Sequence, residues 1–321
     1  MLPFIVHDPF MWLSTLALAL LIDLVIGEFP EKVHPTVWMG RLIDSLKRFM
    51  RSSDRSKAKL NGVLLSLSVI LSFSISTYLI LYLTWRYLGP LVAMILAATL
   101  LKASFAFKSM WKFTTPIADA IKVGEYRRAK ALLRHVVRRD TEKLNEQQTV
   151  SAAVETIAEG TVDGATAPLF YYALLGVPGA IAYRAINTLD SMVGYKDIEH
   201  IHLGWFSAKL DTIANFIPAR LTSIMMILAS WLLRKDWRNA WRILKRDCRR
   251  LESLNAGYPM SAMAGALNVR LEKPNFYRLG DDERPLSYGH IFDALWIMSL
   301  SIYLFILIIV VPLMILIWSI W

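Results

Sequence analysis

The sequence predicts an all-α, polytopic integral membrane protein, and three observations lead to that fold class. Hydrophobic residues make up 55% of the 321 positions and the mean hydropathy is +0.41, whereas soluble domains contain about 45–50% apolar residues. Long apolar runs alternate with strongly basic stretches, as they do in proteins that cross a bilayer several times. No alternating pattern of useful length indicates a strand.

Four apolar runs are long enough to cross a bilayer, which takes about 20 residues, or about 17 at the short end. These predicted transmembrane helices cover residues 10–26, 63–85, 91–107 and 291–318. The N-terminus has neither a basic region nor a small-residue cleavage site, so the first run should remain as a helix. Two further segments, 167–183 and 216–233, are broken by prolines and glycines. We predict that both are membrane-associated, and each could cross, re-enter or pack inside the protein.

Basic residues constrain the topology, because Lys and Arg concentrate in residues 28–61, 108–150 and 234–250. The positive-inside rule places such segments in the cytoplasm. The third segment joins the other two there only if both broken segments cross or neither does. We favour neither crossing. This predicts four spans of the cell (cytoplasmic) membrane, external termini and a cytoplasmic catalytic region from about 108 to 290, all within one membrane domain covering 1–321.

The net charge of +10 does not indicate a nucleic-acid partner, because the cations flank apolar runs and no nucleic-acid recognition motif occurs. Membrane lipid is the expected partner, and residues 237–254 have the basic amphipathic pattern of a helix that lies on a membrane surface. The one cysteine, Cys248, excludes intramolecular disulfides and cysteine metal clusters. No P-loop or G-x-G-x-x-G pattern occurs, so any nucleotide site is non-standard.

Three acidic residues recur at four-residue intervals: Glu155, Glu159 and Asp163. On a helix they share one face, where like charges repel by about 0.2–0.5 kcal/mol per pair unless something neutralises them. Carboxylate oxygens suit Mg²⁺, so one interpretation is a magnesium site. The alternative is a solvated acidic face that pairs with Arg138 or Arg139 nearby.

A dense polar cluster follows the broken segment 167–183 and contains Arg184, Asn187, Thr188, Asp190 and Ser191. A guanidinium here can clamp a phosphate or carboxylate through two hydrogen bonds; the alternative is helix capping with a structural Arg–Asp pair. Asp23 lies inside the first apolar run, and an ionisable group in a span suggests function. Its position near the run's end would also let it reach the interface.

Five motifs occur in a fixed order along the chain. They are Asp23-x₃-Gly27 with His34-Pro35 and Met39-Gly40-Arg41, Arg139-Asp140-Thr141, Val154–Glu159 with Asp163-Gly164 and Ala167–Tyr171, Tyr183–Tyr195, and Asn255-x-Gly257-x-Pro259 with Ala264–Leu267. Together they resemble the CobD/CbiB family of cobalamin-biosynthesis proteins, the adenosylcobinamide-phosphate synthases, over about residues 20–300. Two positions depart from the family pattern. Glu28-Phe29-Pro30 replaces the usual Asp-Pro after Gly27, and Gly160 replaces the usual asparagine after Ala-Glu.

The resemblance implies an amide ligation. The family joins the carboxylate of adenosylcobyric acid to the amine of (R)-1-amino-2-propanol phosphate, with ATP and Mg²⁺, to give adenosylcobinamide phosphate. It implies catalytic roles for Asp140, Glu155, Glu159, Asp163, Arg184 and Asp190, and Mg²⁺ binding by Glu155, Glu159 and Asp163. It implies nucleotide binding by Arg139, Asn187, Thr188, Ser191, Lys196 and Asn255. It implies substrate binding by Asp23, His34, Asn215, Arg220 and Ser261.

Two alternatives belong to other functional classes. A transporter for an anionic or corrinoid solute would need ionisable groups along a path through the spans, where Asp23 and Lys102 are the main candidates. A non-catalytic regulator, such as the β-lactamase-induction membrane proteins, would not need the intact motif from Arg184 to Gly194. As further partners we expect a second copy of the chain or other membrane enzymes of cobalamin assembly.

Overall fold

The computed structural model describes residues 9–320 except 31, 33, 138, 196, 198 and 199. In chain order the helices are α1 (Pro9–Val25), α2 (Pro35–Met50), α3 (Arg55–Leu88), α4 (Pro90–Lys102), α5 (Phe107–Lys122), α6 (Tyr126–Leu133), α7 (Glu146–Thr161), α8 (Ala167–Val193), α9 (Trp205–Ala214), α10 (Phe216–Leu232), α11 (Trp237–Asp247), α12 (Gly257–Leu267), α13 (Tyr288–Phe305) and α14 (Val311–Ile320). A π-helical turn, Val162–Thr166, follows α7, and another, Ile306–Val310, follows α13. The described strands, β1 (Leu271–Lys273) and β2 (Tyr277–Leu279), form one antiparallel hairpin. The all-α prediction is confirmed.

The chain folds into two compact units, each built from separate stretches of sequence. Unit one takes in the described residues of Met1–Ala106, Ala167–Ala214 and Ile309–Trp321. Unit two takes in those of Phe107–Thr166 and Asn215–Ile308.

Helix α3 organises unit one, where it packs against α2, α4, α8 and α9. It begins after Asp54, whose carboxylate accepts the Lys57 N–H at 2.8 Å and so caps the helix. It ends at Gly89, whose φ of +89° favours glycine, and Pro90 then opens α4 in its first turn. Leucines and isoleucines are exposed along the length of α3, as on a helix that faces lipid.

Helices α7 and α12 form the centre of unit two and are buried over most of their length. Helix α7 packs against α5, α6, α12, α13 and β1. Small side chains permit this close packing, because a Cβ on Gly265 of α12 would lie only 2.6 Å from the Cα of Ala240 in α11. In the hairpin, Leu271 pairs with Leu279, and both side chains are buried.

The basic helix predicted over 237–254 ends earlier, at Asp247. The aliphatic members of its apolar face, among them Leu244, are buried, whereas Trp237 and Trp241 are exposed. The amphipathic pattern therefore serves two surfaces: the aliphatic residues pack inside unit two and the tryptophans face outward.

Four helical stretches are long and apolar enough to cross a membrane: Arg55–Leu88, Pro90–Lys122, Glu146–Val193 and Tyr288–Ile320. The bent pair Trp205–Ala214 and Phe216–Leu232 makes five if it counts as one span. The predicted spans 63–85, 91–107 and 291–318 lie within three of these stretches. The predicted span 10–26 forms α1, a shorter apolar helix of 17 residues.

The broken segment 167–183, which we expected not to cross, lies in a helical stretch that is long and apolar enough to do so. It belongs to the stretch Glu146–Val193, because the π-helical turn at 162–166 joins α7 to α8 without ending the helix. The predicted break is present inside α8. Gly176 has a φ of +67° and lies two positions before Pro178.

Candidate functional site

The structure buries Glu155 at the centre of a polar network in unit two, where its side chain is 3% exposed. Its carboxylate accepts hydrogen bonds from Ser151 Oγ at 2.6 Å and from Tyr277 Oη at 2.8 Å. Arg139 Nη2 forms an ion pair with the same carboxylate. Ser151 Oγ also accepts the backbone N–H of Glu272 at 2.8 Å. The network therefore fastens the hairpin to α7 and brings Arg139 beside Glu155.

The surroundings of Tyr277 favour a neutral phenol. Burial and the neighbouring Glu155 raise the pKa of Tyr277 well above its ordinary value of 10. Arg139 Nη1 and Thr141 Oγ1 are buried and have no hydrogen-bond partner in the described part of the chain. Buried polar atoms are usually satisfied, so these two atoms make the Arg139-Asp140-Thr141 segment a candidate to bind a ligand group or water.

The three predicted magnesium ligands have different surroundings. Glu155 is buried and bonded to Ser151, Tyr277 and Arg139. Glu159 is exposed, and Asp163 is half-buried in the π-helical turn. Among the described residues no group of three His, Cys, Asp or Glu side chains is placed to hold a metal ion. The residues therefore do not form a three-carboxylate cage. Nucleotide-bound Mg²⁺ takes only one or two carboxylates and completes its shell with phosphate and water oxygens. That chemistry fits Glu159 and Asp163.

Asp140 lies at the surface of unit two. Its side chain is 55% exposed and lies 3.4 Å from Lys143 Nζ, which is itself exposed. The sequence placed Asp140 in a motif, but the motif's buried members are its two neighbours.

Four further predicted residues lie in unit two near α10 and α12. Asn215 precedes α10, Arg220 begins its second turn and Asn255 precedes α12. Arg220 Nη1 donates to Asn255 Oδ1 at 3.2 Å. Ser261, in α12, is fully buried and its hydroxyl makes no hydrogen bond within the described residues.

The polar cluster after residue 183 forms the second half of α8 in unit one. Its members, Arg184, Asn187, Thr188, Asp190 and Ser191, are all half-buried. Helix α2 packs against this half of α8. Gly40 of α2 permits the close approach, because a Cβ at that position would lie 3.3 Å from the Met192 sulfur. Thr188 Oγ1 lies 4.0 Å from the sulfur of Met39. Two motifs distant in sequence therefore meet in unit one.

The end of this cluster needs glycine. The Asp190 carboxylate lies over Gly194, so that a Cβ there would overlap Asp190 Oδ1. Gly204 is needed for the same reason, because a Cβ there would overlap the carbonyl oxygen of Val193. Lys196, predicted to bind nucleotide, and Arg138 lie outside the described residues.

Asp23 belongs to a buried charge network in unit one. It pairs with Lys102 at 3.1 Å, and both side chains are at most 1% exposed. Lys102 Nζ also lies 3.8 Å from Glu28 Oε1 and donates to the Phe105 carbonyl at 3.2 Å. Glu28 in turn lies 2.7 Å from His34 Nε2. Glu28, one of the departures from the family pattern, thus keeps a carboxylate in contact with Lys102 and His34.

His34 has a defined orientation within this network. Its Nδ1 accepts the Thr36 backbone N–H at 3.3 Å, which caps α2, so Nε2 carries the proton that Glu28 accepts. This histidine is a structural cap as well as a candidate substrate ligand.

The second departure, Gly160, also has a steric explanation. A Cβ at this position would lie 2.8 Å from Cε and 3.1 Å from Sδ of Met110. The Met110 side chain in unit two therefore occupies the space into which the family's usual asparagine would project.

Several residues of these networks carried no usable signal in the sequence. Ser151 and Tyr277 lie in unremarkable positions, and the Tyr277–Glu155 hydrogen bond spans 122 positions. Lys102 could have been paired with Asp23, because both are isolated charges in apolar runs.

The comparisons with known proteins agree with the motifs. A family model described as CobD/Cbib protein matches residues 16–298. A relative from Methanothermobacter thermautotrophicus, named probable cobalamin biosynthesis protein CobD, is 40% identical over 292 residues, 91% of this chain and 95% of its own length. A protein of the same name from Thermoplasma volcanium is 40% identical over 298 residues, with 92% and 96% covered. The cobalamin biosynthesis protein CobD of Dehalococcoides mccartyi is 39% identical over 270 residues, with 84% and 87% covered. No solved structure matches.

Proposed function

This chain belongs to the CobD/CbiB family, and on that premise we propose that it is an ATP-dependent amide synthase of cobalamin biosynthesis. Its substrates are (adenosyl)cobyric acid and (R)-1-amino-2-propanol phosphate, and its product is (adenosyl)cobinamide phosphate. The observation that carries the proposal is the buried network in unit two. There two family motifs, Arg139-Asp140-Thr141 and Val154–Glu159, meet at Glu155.

The reaction must activate a carboxylate, which is a poor acyl donor. In the proposed first step a carboxylate oxygen of the corrinoid attacks the γ-phosphorus of ATP, forming an acyl phosphate and releasing ADP. In the second step the amine nitrogen attacks the acyl carbon, the C–O bond to phosphate breaks, and inorganic phosphate and a proton leave. Such chemistry depends on positioning and on stabilising the phosphoryl charge.

In unit two we assign Glu155 as a positioning residue that fixes the Arg139 guanidinium through the ion pair. Arg139 Nη1, which has no partner within the described residues, then donates to a phosphate oxygen. Glu159 and Asp163 are the two carboxylates that would hold Mg²⁺, which when bound neutralises phosphate charge.

In unit one we assign phosphate binding to Arg184 with the hydroxyl and amide groups of Asn187, Thr188 and Ser191. Asp190 accepts the proton of the attacking ammonium. It is preferred over Asp140 because Asp190 is half-buried, whereas Asp140 is exposed, and a general base must be shielded enough to compete with water.

The test is an assay of the purified protein with cobyric acid, ATP, Mg²⁺ and aminopropanol phosphate, with the product identified by mass. Glu159→Gln should abolish ligation while the protein still inserts and unfolds at the wild-type temperature. Glu125→Gln, at an exposed glutamate that pairs with Arg128, is the matched control and should keep full activity. Normal turnover by Glu159→Gln would remove the proposed metal site.

The same assay separates the ligase from a transporter or regulator. A ligase sustains ATP consumption beyond a single turnover only when the amine substrate is present, whereas a carrier or regulator shows no such dependence. ATP hydrolysis that is indifferent to the amine would refute the proposed function.

A further inference from the structure

Arg220 in unit two is held between two aromatic rings. Its guanidinium carbon lies 3.5 Å from the centre of the Phe216 ring and 4.2 Å from that of the Tyr258 ring. One nitrogen, Nη1, donates to the Phe216 carbonyl at 2.6 Å and to Asn255 Oδ1 at 3.2 Å. Stacking on two ring faces and two hydrogen bonds fix the plane of the guanidinium.

The motif that begins at Asn255 supplies most of this support. Asn255 accepts the hydrogen bond and Tyr258 supplies one ring. Gly257 allows α12 to start here, because a Cβ would overlap the carbonyl oxygen of Cys248. In sequence this motif has only the composition of a turn, but in the structure each of these three residues contributes to the position of Arg220.

No carboxylate neutralises Arg220 in the described part of the chain, and its Nε and Nη2 make no hydrogen bond there. Other arginines of unit two differ in this respect, since Arg139 pairs with Glu155 and Arg246 with Asp247. A half-buried, rigid guanidinium with unused donors and no counter-ion is suited to a doubly charged oxyanion, which it can bind through two parallel hydrogen bonds.

We propose that Arg220 binds a phosphate group of a substrate, and this inference rests on the proposed ligation. Two of the proposed substrates, ATP and aminopropanol phosphate, carry phosphate. The corrinoid carboxylate is the less suitable ligand because it loses its charge on becoming an amide. A phosphate ester that stays intact keeps its charge from substrate to product and can remain bound throughout.

The experiment compares wild type with Arg220→Met, Arg220→Lys and the control Arg249→Met, which removes an exposed arginine without an ion pair in the described residues. The KM for each substrate is measured, together with the KM for aminopropanol that lacks phosphate. Arg220→Met should raise the KM for one phosphate substrate at least tenfold and leave the others within twofold. Arg220→Lys should fall between, because lysine keeps the charge but not the planar fork.

The pattern identifies the source of the phosphate. A raised KM for aminopropanol phosphate, with no change for aminopropanol, assigns the site to the amino alcohol; a raised KM for ATP assigns it to the nucleotide. If neither KM changes, or only that for cobyric acid rises, the proposal is overturned.

A binding measurement keeps the test independent of turnover. Inorganic phosphate should raise the unfolding temperature of wild type and of Arg249→Met beyond the effect of sodium chloride at equal ionic strength, and this shift should be lost in Arg220→Met. If wild type makes no amide, the proposed function fails, but the phosphate shift still decides the role of Arg220. An equal shift in Arg220→Met, or none in wild type, overturns the proposal.

Discussion

Replacing Lys102 by methionine removes the cation from a buried ion pair and tests whether the Asp23–Lys102 network holds unit one together. Methionine keeps most of the side-chain length and apolar volume, so the change is mainly one of charge. It leaves Asp23 at most 1% exposed and without its cation. Removing one partner of a buried pair costs about 3–5 kcal/mol, because the remaining charge stays desolvated after it loses that partner.

The geometry ranks the neighbouring substitutions. Asp23→Asn leaves Lys102 with Glu28 at 3.8 Å and the Phe105 carbonyl at 3.2 Å, so it should cost less, about 1–3 kcal/mol. Glu28→Gln affects a partly exposed carboxylate and should cost under about 1 kcal/mol. The double variant Asp23→Leu with Lys102→Met removes both charges and should recover to within about 1 kcal/mol of wild type.

Thermal unfolding in one detergent, followed by tryptophan fluorescence, measures the ranking. At about 2 °C per kcal/mol for a chain of this size, Lys102→Met should lower Tm by about 6–10 °C. The control Lys143→Met removes the cation of an exposed pair and should leave Tm within about 1 °C. If Lys102→Met loses no more than Lys143→Met, or if the double variant is as unstable as Lys102→Met, the reasoning fails.

Three further predictions concern stability and use the same unfolding assay. Burial acts to raise the pKa of Asp247, but hydrogen bonds from Arg246 and the Gly280 N–H outweigh it and lower the pKa below its ordinary 3.8. Asp247→Asn should therefore cost about 2 kcal/mol at pH 7, and the difference should fade as pH drops below the ordinary pKa; a constant difference would contradict this. Gly204→Ala should cost about 3 kcal/mol, because its Cβ would overlap a backbone carbonyl. Gly164→Ala, with no atom within 4 Å of its Cβ, should stay within about 0.5 kcal/mol; equal effects would refute the steric argument. Gly160→Asn should cost only about 1 kcal/mol, because the atoms its Cβ would meet are the flexible end of Met110, and Met110→Ala in the same chain should remove that cost; no rescue would exclude the contact as the cause.

Hydropathy predicted the membrane helices because apolar content is a local property of each run. It could not predict where the broken segments stop. Pro178 stands just after the break at Gly176, and in the first turn of a helix proline lacks an N–H that would be unbonded anyway. The helix therefore resumes, and the segment becomes part of Glu146–Val193.

This continuity has a consequence for the charge argument. Because the broken segments must cross together or not at all, a crossing by Glu146–Val193 requires Phe216–Leu232 to cross as well. Together with Arg55–Leu88, Pro90–Lys122 and Tyr288–Ile320 that gives five spans, the count that length and hydropathy allow without the shorter helix α1; with α1, which we predicted to cross, the count is six.

The motifs predicted which residues matter but not which of them meet. Four-residue spacing correctly places Glu155 and Glu159 on one helix, yet one is buried and the other exposed. The difference comes from the hairpin, which covers α7 through Tyr277, bonded to Glu155, and through the Glu272 N–H, bonded to Ser151. Helical periodicity carries no information about a strand 122 positions away.

The close approach of Met110 to Gly160 also has a consequence for the evolution of the two positions. A larger residue at position 160 requires the flexible end of the Met110 side chain to move aside, so the two positions constrain each other. Relatives that carry asparagine after Ala-Glu should have a smaller or differently directed side chain at the position of Met110, and those with glycine should have a long one. The two positions should therefore covary across the family, and a change at one should be followed by a change at the other.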